Sequence, residues 1–176
     1  EGNIWVAVLG NIIAKYDPKD DSFQRYRIET GSVTNISEFY TALYDSKGNL
    51  WFGSSNHGMQ KFNRSENRFV QVQLDSSNNI AQWGQIYAMT ELKNGNILAS
   101  DYGNGIKIYN EKLNLFQPYY LKTNFSPNEI NLIYEDASGN IWFGGRNKLI
   151  RYSPQYYSTE DYDVFSLFKN PTSYDN

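Results

Sequence analysis

An all-β fold follows from three observations on the sequence. The tetrad Gly-Asn-(Ile/Leu)-(Trp/Leu) occurs four times, as Gly2-Asn3-Ile4-Trp5, Gly48-Asn49-Leu50-Trp51, Gly95-Asn96-Ile97-Leu98 and Gly139-Asn140-Ile141-Trp142. The copies start 46, 47 and 44 residues apart, and a β-rich repeat with a period in the mid-forties is that of a propeller blade. Short alternating apolar runs lie between turn residues, and nothing reads as a long amphipathic helix. The prediction is a β-propeller fragment of about four four-stranded antiparallel blades, each needing a neighbour to bury both of its faces.

The elements follow in order. The first strand of a repeat is the alternating segment before the tetrad: 38–44, 85–91 and 129–135. A tight turn comes next. Asp45-Ser46-Lys47-Gly48 and Asp136-Ala137-Ser138-Gly139 put an acceptor at the start and a glycine tolerant of positive φ at the end. Leu92-Lys93-Asn94-Gly95 uses Asn-Gly instead. The tetrad opens the second strand, and Trp5, Trp51 and Trp142 are expected at equivalent, largely buried positions with Leu98 as their counterpart. The third strand ends in an aromatic: Tyr16, Phe62, Tyr109 and Tyr152. A Phe follows seven residues later in three copies, Phe23, Phe69 and Phe116, and marks the fourth strand. In the last copy, 153–163 reads as extra residues before Val164-Phe165. The repeats divide into blade 1 over 1–37, its first strand missing, then blade 2 over 38–84, blade 3 over 85–128 and blade 4 over 129–176.

Composition narrows the function classes. The 15 Tyr, 10 Phe and 4 Trp recur at fixed repeat positions, so most are assigned to packing between blades rather than to a ligand platform. A net charge of -3 gives no case for nucleic acid or an anionic membrane surface. No apolar run approaches the roughly 20 residues of a membrane span. The absence of cysteine excludes disulfides and thiolate chemistry. The chain opens inside a repeat and lacks an initiator Met, so a piece of a longer protein is expected.

The repeat resembles a known family, the two-component regulator propeller. The resemblance is carried by the stretches from Ala42-Leu43-Tyr44-Asp45 through Gly48-Asn49-Leu50-Trp51-Phe52-Gly53, and from Ile133-Tyr134-Glu135-Asp136 through Gly139-Asn140-Ile141-Trp142-Phe143-Gly144. It implies a periplasmic sensor region of a Bacteroidetes-type hybrid two-component system, often responding to glycan breakdown products, in a parent that is a histidine kinase. It implies as partners an oligosaccharide and the remaining blades of that receptor. The third repeat departs from the pattern, with Leu98-Ala99-Ser100 where others have Trp-Phe-Gly or Trp-Val-Ala.

No catalytic constellation, metal-ligand set or cofactor motif is visible. His57, the one histidine, lies in the connection Ser54-Ser55-Asn56-His57-Gly58 and reads as a solvated or hydrogen-bonded surface residue. As a general base it would need an orienting partner and a nucleophile. Asp17-Pro18-Lys19-Asp20-Asp21 holds carboxylates that could suit calcium, but a polar turn is the simpler reading. Ligands of propellers gather at one face, from the loops joining blades (29–37, 75–84 and 122–128) and from those joining second to third strands. Asn56, His57, Trp83, Tyr102 and Arg146 are the candidate ligand residues, since flat aromatics and amides suit sugar rings and Arg suits an anionic substituent. The alternatives are a protein-interaction scaffold and a propeller lyase. Fifteen strands would leave an open arc, so self-association of the fragment is expected.

Overall fold

The computed structural model describes residues 2–28, 37–75, 83–121, 129–146 and 148–164. Their strands form four sheets. β1 (Trp5–Val8), β2 (Ile12–Asp17) and β3 (Ser22–Arg27) make the first. β4 (Phe39–Tyr44), β5 (Leu50–Ser54), β6 (Met59–Asn63) and β7 (Arg68–Gln71) make the second. After β8 (Gln73–Leu74), the third contains β9 (Ile86–Glu91), β10 (Ile97–Asp101), β11 (Gly105–Asn110) and β12 (Leu115–Pro118). The last contains β13 (Ile130–Glu135), β14 (Ile141–Gly145), β15 (Lys148–Ser153) and β16 (Ser158–Asp163). Each is an antiparallel meander, as propeller blades are. β8 is an element the repeat pattern does not mark. It leaves the second sheet and pairs in parallel with β12, Gln73 opposite Leu115 and Leu74 opposite Phe116, which covers an outer edge.

The tetrad builds a pin inside the blade. The Asp45 carboxylate accepts the Trp51 indole N–H at 2.8 Å, the Asn49 backbone N–H at 2.7 Å and the Asn49 side-chain amide at 2.9 Å. Asp136 repeats this with Trp142 at 2.9 Å and with Asn140 at 2.9 and 3.0 Å. The turn closes through Gly48 and Gly139 at φ of 79° and 83°, a conformation glycine adopts without a Cβ clash. A cation on the third strand lies opposite each Trp: Lys15 opposite Trp5, Lys61 opposite Trp51 and Arg151 opposite Trp142. Lys61 Nζ is 4.7 Å from the Trp51 ring centroid, close enough for a cation–π contact.

The core is distributed over the joints between sheets. Trp51 is fully buried, with Tyr109 and Phe116 of the next sheet edge-on to it at 4.8 and 6.0 Å. Leu98 is equally buried, in a cluster with Ile141, Ile150 and Tyr152. Trp5 meets Phe62 and Phe69 of the second sheet. The fourth-strand Phe therefore packs on the preceding sheet. Phe69 and Phe116 are buried, whereas Phe23, on the first of the described sheets, is 51% exposed. Trp5 and Trp142 are also mostly buried, though less completely than Trp51. Trp142 joins none of the three core clusters and instead stacks on Tyr162 of its own sheet.

The fourth strand of the last sheet also corrects the sequence reading. It is β16, with Thr159 opposite Tyr152 at the same seven-residue spacing as Phe69 from Phe62. No extra residues precede it: Thr simply stands where the other repeats have Phe, which hid the strand. Phe165 lies outside the described residues.

Candidate functional site

In the second and third blades the start of the inner strand is tied to the connection between second and third strands. In the second blade the Ser55 N–H donates to the Glu38 carbonyl at 2.9 Å, and the Glu38 N–H donates to Ser55 Oγ at 3.0 Å. In the third the Tyr102 N–H donates to the Gln85 carbonyl at 2.9 Å. These bonds gather Glu38, Tyr40, Gln85, Tyr87 and Tyr102 at one end of the sheets.

A bulge recurs on the inner strand of all three later sheets. β4 and β5 pair as Phe39 with Ser54 and then Thr41 with Gly53, so Tyr40 is the additional residue. β13 does the same at Asn131, between Ile130 and Leu132. In β9 the shift falls between Ile86 and Met89 and includes Tyr87. Bulges re-aim side chains out of the strand alternation. Here Tyr40 stacks on Tyr87 across the joint, with centroids 4.6 Å apart and planes 13° apart. Tyr102 meets Tyr87 edge-on at 5.4 Å. The Tyr40 hydroxyl donates to Glu38 at 2.9 Å and the Tyr87 hydroxyl to Gln85 at 2.5 Å. Partial burial, then the Glu38 bond, raise the Tyr40 phenol above its ordinary range. Close approach of the two inner strands needs Gly53: a Cβ there would lie 2.6 Å from Ile86 and 2.7 Å from Thr41.

Behind this ladder sits a buried ion pair, Asp101 with Lys107, 3.6 Å apart with side chains 0% and 1% exposed. The Asp101 carboxylate accepts the Gly84 N–H at 2.7 Å, and the Lys107 ammonium donates to the Asn104 carbonyl. Burial pushes Asp101 up and Lys107 down, each countered by the other's charge. The second blade anchors the matching connection with a neutral group, Gln60 Nε2 donating to the His57 carbonyl at 2.7 Å.

The sequence-predicted residues fall into three groups. Tyr102 is in the ladder and 41% exposed. Asn56 is exposed, but its neighbour His57 is buried, not a surface residue. Two amides, from Gln60 and Gln71, hold the His57 carbonyl and draw the connection inward. Trp83 covers that connection, and any Cβ at Gly58 would lie 2.2 Å from its ring. Its indole N–H donates to the Val72 carbonyl at 2.9 Å and its ring meets Phe116 at 5.3 Å, so much of it is engaged in packing. Arg146 is exposed after β14, one blade further on. Asn147 and most of the inter-blade loops lie outside the described residues. Sequence reasoning missed Tyr40 and Tyr87. Their separation of 47 residues, equal to the distance between the second and third tetrads, was the available signal.

The family model of the two component regulator propeller matches residues 34–56 and 124–147. Among solved structures, the extracellular domains of two hybrid two component systems of B. thetaiotaomicron are similar. One is 18% identical at a TM-score of 0.66, over 91% of this chain and 22% of that one. The other is 20% identical at 0.67, over 92% and 23%. Catalytically inactive virginiamycin B lyase from Staphylococcus aureus, with quinupristin, is 16% identical at 0.63, over 88% of this chain and 49% of that one. The chain thus spans under a quarter of the two extracellular domains, and at these identities the likeness is one of fold. No curated protein matches it. No helix among the described residues is long and apolar enough to cross a membrane.

Proposed function

We propose that this chain, which the model of the two component regulator propeller matches at residues 34–56 and 124–147, is a ligand-sensing part of a hybrid two-component regulator. It works in the periplasmic region of the receptor and responds to glycan breakdown products. Histidine kinase chemistry resides elsewhere in the parent; the blades bind and transmit. The observation that carries the reading is the repeat itself, recurring at 34–56 and 124–147. The aromatic face on the second and third blades supports it, because stacked rings flanked by carboxylate and amide acceptors suit sugar rings and their hydroxyls. A lyase is not proposed: His57, its general-base candidate, is 7% exposed, whereas a base must reach the proton it removes.

The test is titration of the intact receptor propeller with oligosaccharides from complex glycans, read by calorimetry, alongside kinase output in cells fed the same glycans. Binding together with an induced output supports the reading. A propeller that binds no saccharide but captures a periplasmic protein overturns it in favour of a scaffold.

A further inference from the structure

We propose that Tyr40, Tyr87 and Tyr102 form a saccharide subsite for uncharged pyranosides, with Glu38 as the hydroxyl acceptor. This rests on the sensor reading above and names the ligand class and the place. Three observations point to it independently.

First, the ladder is not needed to fill a joint. The three apolar clusters that hold the sheets together contain none of these rings. Tyr40 and Tyr102 keep 38% and 41% of their surface, while the aromatics that seal the joints, such as Trp51 and Phe116, keep none.

Second, the backbone is bent to produce it. The bulge falls at the same place in three inner strands, yet only in two adjacent blades does it carry Tyr; in the fourth it carries the exposed Asn131. A packing requirement shared by the repeats would place the same residue in all three. Two stacked rings spanning neighbouring blades instead give a platform confined to one sector of the face.

Third, the charges around it select the ligand. The residues two before Tyr40 and Tyr87 are Glu38 and Gln85, so the rim of the ladder offers a carboxylate and an amide. The Tyr40 and Tyr87 hydroxyl protons are directed to Glu38 and Gln85. The cation behind the ladder, Lys107, is buried and turned to Asp101 and the Asn104 carbonyl. Such a rim repels sulfate and uronate groups and accepts sugar hydroxyl protons, while the C–H face of a pyranose lies on the tyrosine rings. Arg146, the one candidate for an anionic substituent, follows β14 on the next blade rather than the ladder.

The chain is titrated by calorimetry with maltotriose, cellotriose, mannotriose and a sulfated chondroitin disaccharide. At least one neutral trisaccharide is expected to bind and the sulfated disaccharide to bind none or more weakly. Tyr40→Ala and Tyr87→Ala are expected to weaken that binding roughly tenfold or more, Tyr40→Phe to retain most of it, and Glu38→Gln to weaken it severalfold. Tyr156→Ala, at an exposed turn between β15 and β16, serves as the unaffected control, and melting curves of every variant establish that it folds. If Tyr40→Ala unfolds the chain, Tyr102→Ala and Glu38→Gln, both at the surface, carry the test. Neutral-sugar binding that survives the ring and Glu38 variants sinks the subsite but leaves the sensor reading standing. Binding of the sulfated sugar alone overturns the ligand class. Binding of none of the four sugars overturns the proposal, and a negative result with the intact receptor as well removes the sensor reading.

Discussion

In the second blade Asp45, Trp51 and Lys61 form a polar cluster; in the third, Leu92, Leu98 and Ile108 hold the same three places. The backbone around them is equivalent. Asp45 and Leu92 both donate their N–H to the Asn four residues on, at 3.0 and 2.8 Å, and both accept the turn glycine's N–H. Trp51 lies opposite Lys61 just as Leu98 lies opposite Ile108. All three residues differ together, and the physical reason is that each polar member satisfies another. Trp51 brings an indole N–H into the interior, which needs the Asp45 carboxylate. Without that Trp, an Asp in the place of Leu92 would put a charge into the apolar cluster that holds Leu98, with no indole N–H to meet it. A blade can use the pin or the apolar trio, but not a mixture.

The largest effect that would break this comparison is removal of the pin's ring. Trp51→Ala is expected to destabilise the chain by roughly 3–5 kcal/mol in urea unfolding, since it empties a fully buried aromatic site. An unchanged melting temperature would show that the repeat register assigned here is wrong. Next comes the exchange of one chemistry for the other. Asp45→Leu alone should cost about 1–3 kcal/mol by orphaning the Trp51 N–H. Adding Trp51→Leu and Lys61→Ile should cost less than the sum of the single changes, by a coupling of about 0.5–3 kcal/mol. Simple additivity would mean that the three places are independent.

Acid provides a smaller and sign-specific contrast. Hydrogen bonds from Asn140 and Trp142 hold Asp136 down to about 2, below its ordinary 3.8. Burial works to raise Asp45, but its bonds from Asn49 and Trp51 prevail and lower it. A depressed folded-state value means stability that is present above about pH 4 and lost as pH falls towards 2. The third blade, with Leu92, has no such group. Asp136→Asn should therefore lower the melting temperature at pH 6 and flatten its decline between about pH 4 and 2; an equally steep decline would assign the acid response to other carboxylates. The smallest expected effect concerns the turn before the fourth strand. Asp21, Asn67 and Asn114 adopt φ of 51° there, and the fourth repeat uses Tyr157 at the same angle. A bulky side chain is disfavoured in that region. Tyr157→Asn should stabilise by about 0.5–1 kcal/mol, and a loss of stability would show that the Tyr ring contributes more than its backbone costs.

The fold was legible because turn chemistry and period are properties of the chain alone. The Asp-x-x-Gly-Asn-x-Trp spacing specified turn, strand and pin at once. β8 was not legible, because two residues pairing in parallel with another blade leave no pattern of their own. Thr159 hid a strand because the pairing tolerates a residue that the Phe rule does not. Of the site, Tyr102 was visible as an exposed aromatic in a loop of the correct type. Tyr40 and Tyr87 lie within alternating strands, where an aromatic ordinarily packs; only the bulge, a backbone event, turns them to the face. His57 was misplaced for a related reason: its burial comes from bonds to its carbonyl, which its identity does not encode.

The turns also tie blade to blade. The Ser46 N–H and hydroxyl donate to Glu91 at 2.7 and 2.5 Å, and the Lys93 N–H donates to Glu135 at 2.5 Å. The donor is always in the earlier repeat and the acid in the later one, so the two sides of a joint are unlike, as in head-to-tail ring subunits. Such a joint has a direction. Gene duplication can lengthen the array by a whole repeat and keep every joint intact, because the copy brings both its turn and its acid. Reversing or shuffling parts of a repeat cannot, and a repeat with Tyr44 in the acid's place joins its predecessor without this bond. The carboxylate at the end of the inner strand is thus a heritable connector: it makes the repeat, rather than the strand, the unit in which this architecture grows.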